Sequence, residues 1–104
     1  MTKWIEACQL KAWLHDGEEV AVLDVREQGQ YGEAHLFYGV PLPYSRLELD
    51  AARMVPRLSV RLIVYDDDGT GIAVRAASRL VDMGYTQVYA LKGGTQAWKA
   101  AGYT

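Results

Sequence analysis

Three short apolar runs constrain this chain most: "VAVLDV" at Val20–Val25, "VRLIVY" at Val60–Tyr65 and "QVYAL" at Gln87–Leu91. Each is nearly continuous in Val, Ile, Leu, Ala and Tyr rather than alternating with polar residues. That is the pattern of strands buried on both faces. Between them lie segments with a helical period, so the order of elements is α-β-α-β-α-β-α. Such an order predicts a small, mostly parallel sheet covered by helices on both sides, a three-layer α/β/α sandwich. The 104 residues suit one domain spanning 1–104.

The helices are placed by stripes and stops. From about Glu6 to His15, Ala7, Leu10, Trp13 and Leu14 share a face, and Gly17 follows as a stop. Ser45–Val55 is predicted helical, with Ser45 as N-cap, Glu48 completing a capping box and Pro56 ending it. The clearest helix is Ile72–Met83. Ile72, Ala76, Leu80 and Met83 form its inward stripe, Arg75, Arg79 and Asp82 lie outside, and Gly84 sits just past its end. "REQGQYGEAHL" reads as a short turn and loop, "GVPLP" as a brief extended piece, and "GGTQAWKAAGY" as a last helix with Trp98 inward.

Composition narrows the function. A net charge of −2 gives no basic surface for nucleic acid or anionic membrane. No apolar run approaches the ~20 residues of a membrane span. "MTKWIEACQL" lacks the basic-then-apolar order of a secretory signal, so a cytoplasmic location is expected. One cysteine, Cys8, excludes an internal disulfide, and His15 and His35 are not flanked by ligands at metal-binding spacing. No cofactor or metal is expected.

The segment that resists a purely structural reading is "VYDDDGTGIA", Val64–Ala73. A strand, a glycine-containing loop and a helix start make a junction where backbone N–H groups converge and an anion is welcome. Yet Asp66, Asp67 and Asp68 stand there, followed by Gly69, Thr70 and Gly71. One of the three aspartates is expected to cap the helix that begins near Gly71, a covalently attached anion in place of a bound one. "DDDG" lacks the alternating ligand spacing of a calcium loop. Turn geometry accounts for the two glycines better than a phosphate cradle does.

Several pieces resemble the rhodanese-like domain, the fold of the thiosulfate sulfurtransferases: "VLDVRE" at Val22–Glu27, "EAHLFYGVPLP" at Glu33–Pro43, "LIVYD" at Leu62–Asp66 and "AASRLVDMGYTQVYALKGGTQAW" at Ala76–Trp98. They follow family order. In this setting Asp24 and Arg26 suit a carboxylate–guanidinium pair that ties down the loop after the first strand. Gly93 and Gly94 permit a sharp exit from the third strand. His35 falls where the family commonly has a histidine and reads as structural.

The resemblance implies a loop of the form Cys-x-x-Gly-x-Arg, whose cysteine thiolate attacks thiosulfate and carries a persulfide. Counting forward from the strand puts that cysteine at Asp66; counting back from Ala76 and Ala77 puts it at Asp67. Either way the position is an aspartate, and the loop arginine falls at Gly71 or Ile72. A carboxylate forms no persulfide. An ionised aspartate about 6 Å from an entering anion also repels each unit of its charge by roughly 3 kcal/mol at an effective dielectric of 20. The phosphatases with rhodanese-like domains and an enlarged loop need the same cysteine and arginine.

The expected function is therefore a non-catalytic rhodanese-like domain with catalytic residues: none, and a degenerate loop at Asp66–Gly71. It would serve as a binding, regulatory or structural module. "SRLELDAARMVPR" with the acidic loop resembles the leading, cysteine-less domain of bacterial multi-rhodanese proteins, so sister rhodanese domains or an unknown protein are the expected partners, and the chain reads as an excised part of such a protein. The alternative is an active thiosulfate sulfurtransferase using Cys8, or another domain of the parent. Cys8 lies off the apolar face of its helix, with no histidine or basic cluster beside it to activate it.

Overall fold

The computed structural model describes residues 3–26, 40–66 and 71–102. The proposed turn in "REQGQYGEAHL" after Arg26, and His35 within it, lie outside the described residues.

The three apolar runs are strands, shortened at their ends: β2 at Val20–Asp24, β4 at Arg61–Tyr65 and β5 at Val88–Leu91. Two further strands join them at the edges, β1 at Trp4–Ile5 and β3 at Val40–Pro41, giving among the described residues a five-stranded sheet in the order β1-β5-β4-β2-β3. Every pairing is parallel. The expected order α-β-α-β-α-β-α is thus incomplete. β1 precedes the first helix, and the extended "GVPLP" is a paired edge strand whose Pro41 offers no N–H for a ladder.

Alternation along the central strands divides the core. Leu62 and Val64 of β4 enter one apolar cluster and Ile63 and Tyr65 the other, and all four are fully buried. Each such side chain contributes about 1.5–3 kcal/mol of transfer free energy. Helices α1 (Ala7–Leu14) and α4 (Gly94–Ala100) supply Leu10 and Trp98 to the Ile63 face. Helices α2 (Leu47–Met54) and α3 (Ile72–Asp82) cover the Leu62 face with Leu47, Ala51, Ala76 and Leu80. This is the three-layer arrangement. No helix among the described residues is long and apolar enough to cross a membrane.

α3 follows the expected pattern closely. Ala76 and Leu80 are fully buried, Ile72 and Met83 pack partly on the same cluster, and Ala73 and Ala77 widen the stripe. Its end is a Schellman turn: Gly84 has φ +108°, its N–H donates to the Val81 carbonyl, and the Tyr85 N–H donates to that of Leu80. α2 departs from expectation. A 3-10 turn at Tyr44–Arg46 precedes it, so its cap is Arg46, which makes no side-chain capping bond. Glu48 does not close a capping box with Ser45; it pairs with Arg79 of α3 across the surface. The inter-helix partner, invisible at three-residue spacing, wins over the local one.

At the amino ends of the strands, Arg61 ties the α1–β2 connection to β4. Its guanidinium donates to both oxygens of Asp16 at 2.9 Å, to the Glu18 carbonyl at 3.1 Å, and lies 4.6 Å from the Trp13 ring centroid. These hydrogen bonds hold the Asp16 carboxyl below its ordinary pKa, so this clamp is present above the usual carboxylate range and lost as pH falls through the lowered value.

Tyr85 anchors the other side, its hydroxyl donating to the carbonyls of Val55 and Ala51 at the end of α2. Burial raises its pKa, so its contribution is complete below the unfolded tyrosine value and declines as pH rises beyond it. Tyr85→Phe is expected to lower stability in urea by about 1–2 kcal/mol at neutral pH. It should also show a shallower loss than the wild type above about pH 10.

Candidate functional site

After β2 the chain turns toward β3 on one side; after β4 it moves to β5 on the other. The crevice at the carboxyl ends of β2 and β4 is therefore the topological switch point, where open α/β sheets bind ligands. Three segments converge on this end: Asp24–Arg26 at the end of β2, Asp66 after β4, and Gly93–Gly94 after β5.

Asp66 is the first residue beyond β4 and is 6% exposed. Its Oδ2 accepts the N–H of Gly71 at 3.3 Å and that of Ala73 at 3.0 Å. Gly71 is the cap residue of α3 and has no side chain of its own to offer, so the carboxylate five residues earlier satisfies the exposed helix start and meets the positive end of its dipole. Asp67, Asp68, Gly69 and Thr70 lie outside the described residues. Sequence spacing left three aspartates open for this role; burial and geometry identify Asp66 as a cap.

The backbone of Asp66 is held from the far side as well. Its carbonyl accepts the N–H of Thr95, a buried residue in the first turn of α4. That approach depends on Gly93 and Gly94, with φ of +77° and +56°. A Cβ on Gly93 would stand 2.6 Å from Cβ of Ala97, so no other residue fits there without displacing the helix. The Gly-Gly signal was legible in sequence; the link from Thr95 to Asp66 was not, because nothing local marks it.

Asp24 and Arg26 form the expected pair. They are 0% and 4% exposed, with Arg26 Nε donating to Oδ1 at 3.0 Å, Nη2 to Oδ2 at 2.8 Å, and the Arg26 N–H to Oδ1 at 3.0 Å. The guanidinium also lies 5.8 Å from the Tyr65 ring centroid. Arg26 is thus committed to a buried structural pair, and Arg75, a turn into α3, is exposed on its outer side.

Cys8 is exposed on α1. It lines a hollow of about 300 Å³ with Trp4, Glu6, Trp13 and Tyr89. Among the described residues no group of three or more His, Cys, Asp or Glu side chains comes together to hold a metal.

A parallel sheet with helices on both faces and a carboxylate-capped helix at its switch point defines an open α/β domain, and comparison with known proteins identifies its family. The family model for the rhodanese-like domain matches residues 6–101, and the chain belongs to that family. The thiosulfate sulfurtransferase GlpE of Coxiella burnetii is 31% identical over 93 residues, 88% of this chain and 83% of that protein. A thiosulfate sulfurtransferase from Pseudomonas aeruginosa superposes with a TM-score of 0.91 at 42% identity. The match covers 97% of this chain but 19% of that one, so this domain corresponds to about a fifth of that relative. The rhodanese-like domain of the Anabaena protein Alr3790 gives a TM-score of 0.85 at 32% identity, over 99% of this chain and 77% of that one.

Removing the Asp66 carboxylate strands two helix-start amides. Asp66→Ala is expected to cost about 1–3 kcal/mol in urea unfolding, and Asp66→Asn, which retains an acceptor oxygen, less. Asp24→Asn removes the carboxylate charge that faces the buried Arg26 guanidinium and is expected to cost more, about 3–5 kcal/mol.

Proposed function

We propose that this rhodanese-like, sulfurtransferase-family domain carries no persulfide itself and acts as a binding, regulatory or structural module, a pseudoenzyme. The observation that carries the reading is the Asp66 carboxylate on the Gly71 and Ala73 amides. In persulfide chemistry a thiolate forms a bond to the outer sulfur of thiosulfate, the S–S bond of the donor breaks, and sulfite leaves with the electron pair. The nucleophile must be sulfur, and the departing dianion needs unoccupied N–H donors. Here the first residue after β4 bears oxygen, and two of the donors already hold its carboxylate.

The position of Asp66 supports matching it to the family's cysteine, the forward of the two counts. The relation to a thiosulfate sulfurtransferase about five times as long supports a role beside sister rhodanese domains, in a protein where another domain carries the cysteine. Any sulfurtransferase activity then belongs to that larger protein.

The test is sulfur transfer from thiosulfate to cyanide by the purified domain, with mass spectrometry after thiosulfate alone. The expected result is no turnover above buffer and no added sulfur atom on the protein, unchanged in Cys8→Ala. Turnover that disappears in Cys8→Ala would establish instead that Cys8 is a working nucleophile.

A further inference from the structure

The outward face of α3 carries a pattern that the acidic loop does not explain. Taking Ser78 as its centre and 100° per residue, Val74 and Val81 lie on one side of the face, while Arg75 and Asp82 lie on the other. Val81 is 54% exposed, a large apolar side chain left open to solvent, and Ser78, Arg75 and Asp82 are exposed around it. The neighbouring Arg79 is hydrogen-bonded to Glu48 and Tyr44 and also attracts the Asp82 charge, but neither Arg75 nor Asp82 forms a salt bridge among the described residues. Grooves run along both flanks of the helix and share Val74, Ser78 and Asp82 in their linings.

This arrangement is complementary to itself. Arg75 and Asp82 are seven residues apart, about 10 Å along the axis, and nearly equidistant from Ser78. Reversing the helix about a two-fold axis perpendicular to it at Ser78 exchanges the two ends but keeps the two sides. Arg75 then faces Asp82 of the second copy, and Asp82 faces its Arg75. Val74 likewise faces the copy's Val81. Small Ser78 at the crossing lets the backbones approach. A face of this kind makes an isologous contact, in which one patch serves both partners.

We propose that the outer face of α3 is a homodimer interface, on which a second copy of this chain docks antiparallel about a two-fold axis at Ser78. This inference is independent of the reading of Asp66 and stands or falls without it.

Sedimentation of the purified chain from about 1 µM to 1 mM tests it, and the expected result is a monomer–dimer equilibrium within that range. Arg75→Asp and Asp82→Arg are each expected to weaken the dimer about tenfold or more, by placing like charges across the axis. The double reversal Arg75→Asp/Asp82→Arg should restore it to within about threefold of wild type. All these side chains are exposed, and circular dichroism verifies folding. A second measurement needs no charge change: in Cys8→Ala/Ser78→Cys a short bismaleimide should link two copies, and in Cys8→Ala/Gln96→Cys, with the thiol on α4, it should not. A strict monomer at 1 mM, a dimer that both single reversals leave unchanged, failure of the double reversal to restore association, or equal linking at both cysteines would each overturn the proposal.

Discussion

The contact between the Asp66 carboxylate and the start of α3 is the constraint on which the site depends. A parallel strand feeding a helix leaves several N–H groups pointing at the end of the sheet, and those donors must find acceptors. Here the chain supplies its own, five to seven residues upstream of the amides it satisfies. The Thr95 amide then fixes the Asp66 carbonyl, so the cap is tied to both faces of the sandwich. At this junction the Gly71 and Ala73 amides are satisfied by an internal carboxylate.

The surrounding framework is built to hold that junction still. The fully buried β4 side chains point alternately into both cores, the Asp24–Arg26 pair pins the exit from β2, and the left-handed Gly93 and Gly94 bring α4 close. The overall fold is what the chain shares with its rhodanese-like relatives. The scaffold and the chemistry grafted on it are separable. Here the scaffold is that of the family, and the residue after β4 is the aspartate that caps α3.

Much of this was legible in sequence, for physical reasons. Continuous apolar runs located β2, β4 and β5, because strands covered on both faces admit few polar residues. The stripe of α3 and its stop at Gly84 were equally plain. What escaped depends on partners distant in sequence. Trp4–Ile5 is too short to show a period and is a strand only through its pairing with Ala90–Leu91. The capping box at Ser45 and Glu48 satisfied every local rule, yet Glu48 pairs with Arg79, 31 residues away. The three adjacent aspartates could not be ranked by spacing. The buried geometry after Tyr65 shows Asp66 capping α3, and nothing in one dimension records that burial.

The central claim is that the Gly71 and Ala73 amides are already occupied. Amide resonances of Gly71 and Ala73, followed by nuclear magnetic resonance during titration with thiosulfate at constant ionic strength, test this most directly. The account predicts no saturable shift at either amide in the wild-type chain. A saturable shift centred on those two resonances would contradict it, because an external anion would then be taking the place assigned to Asp66.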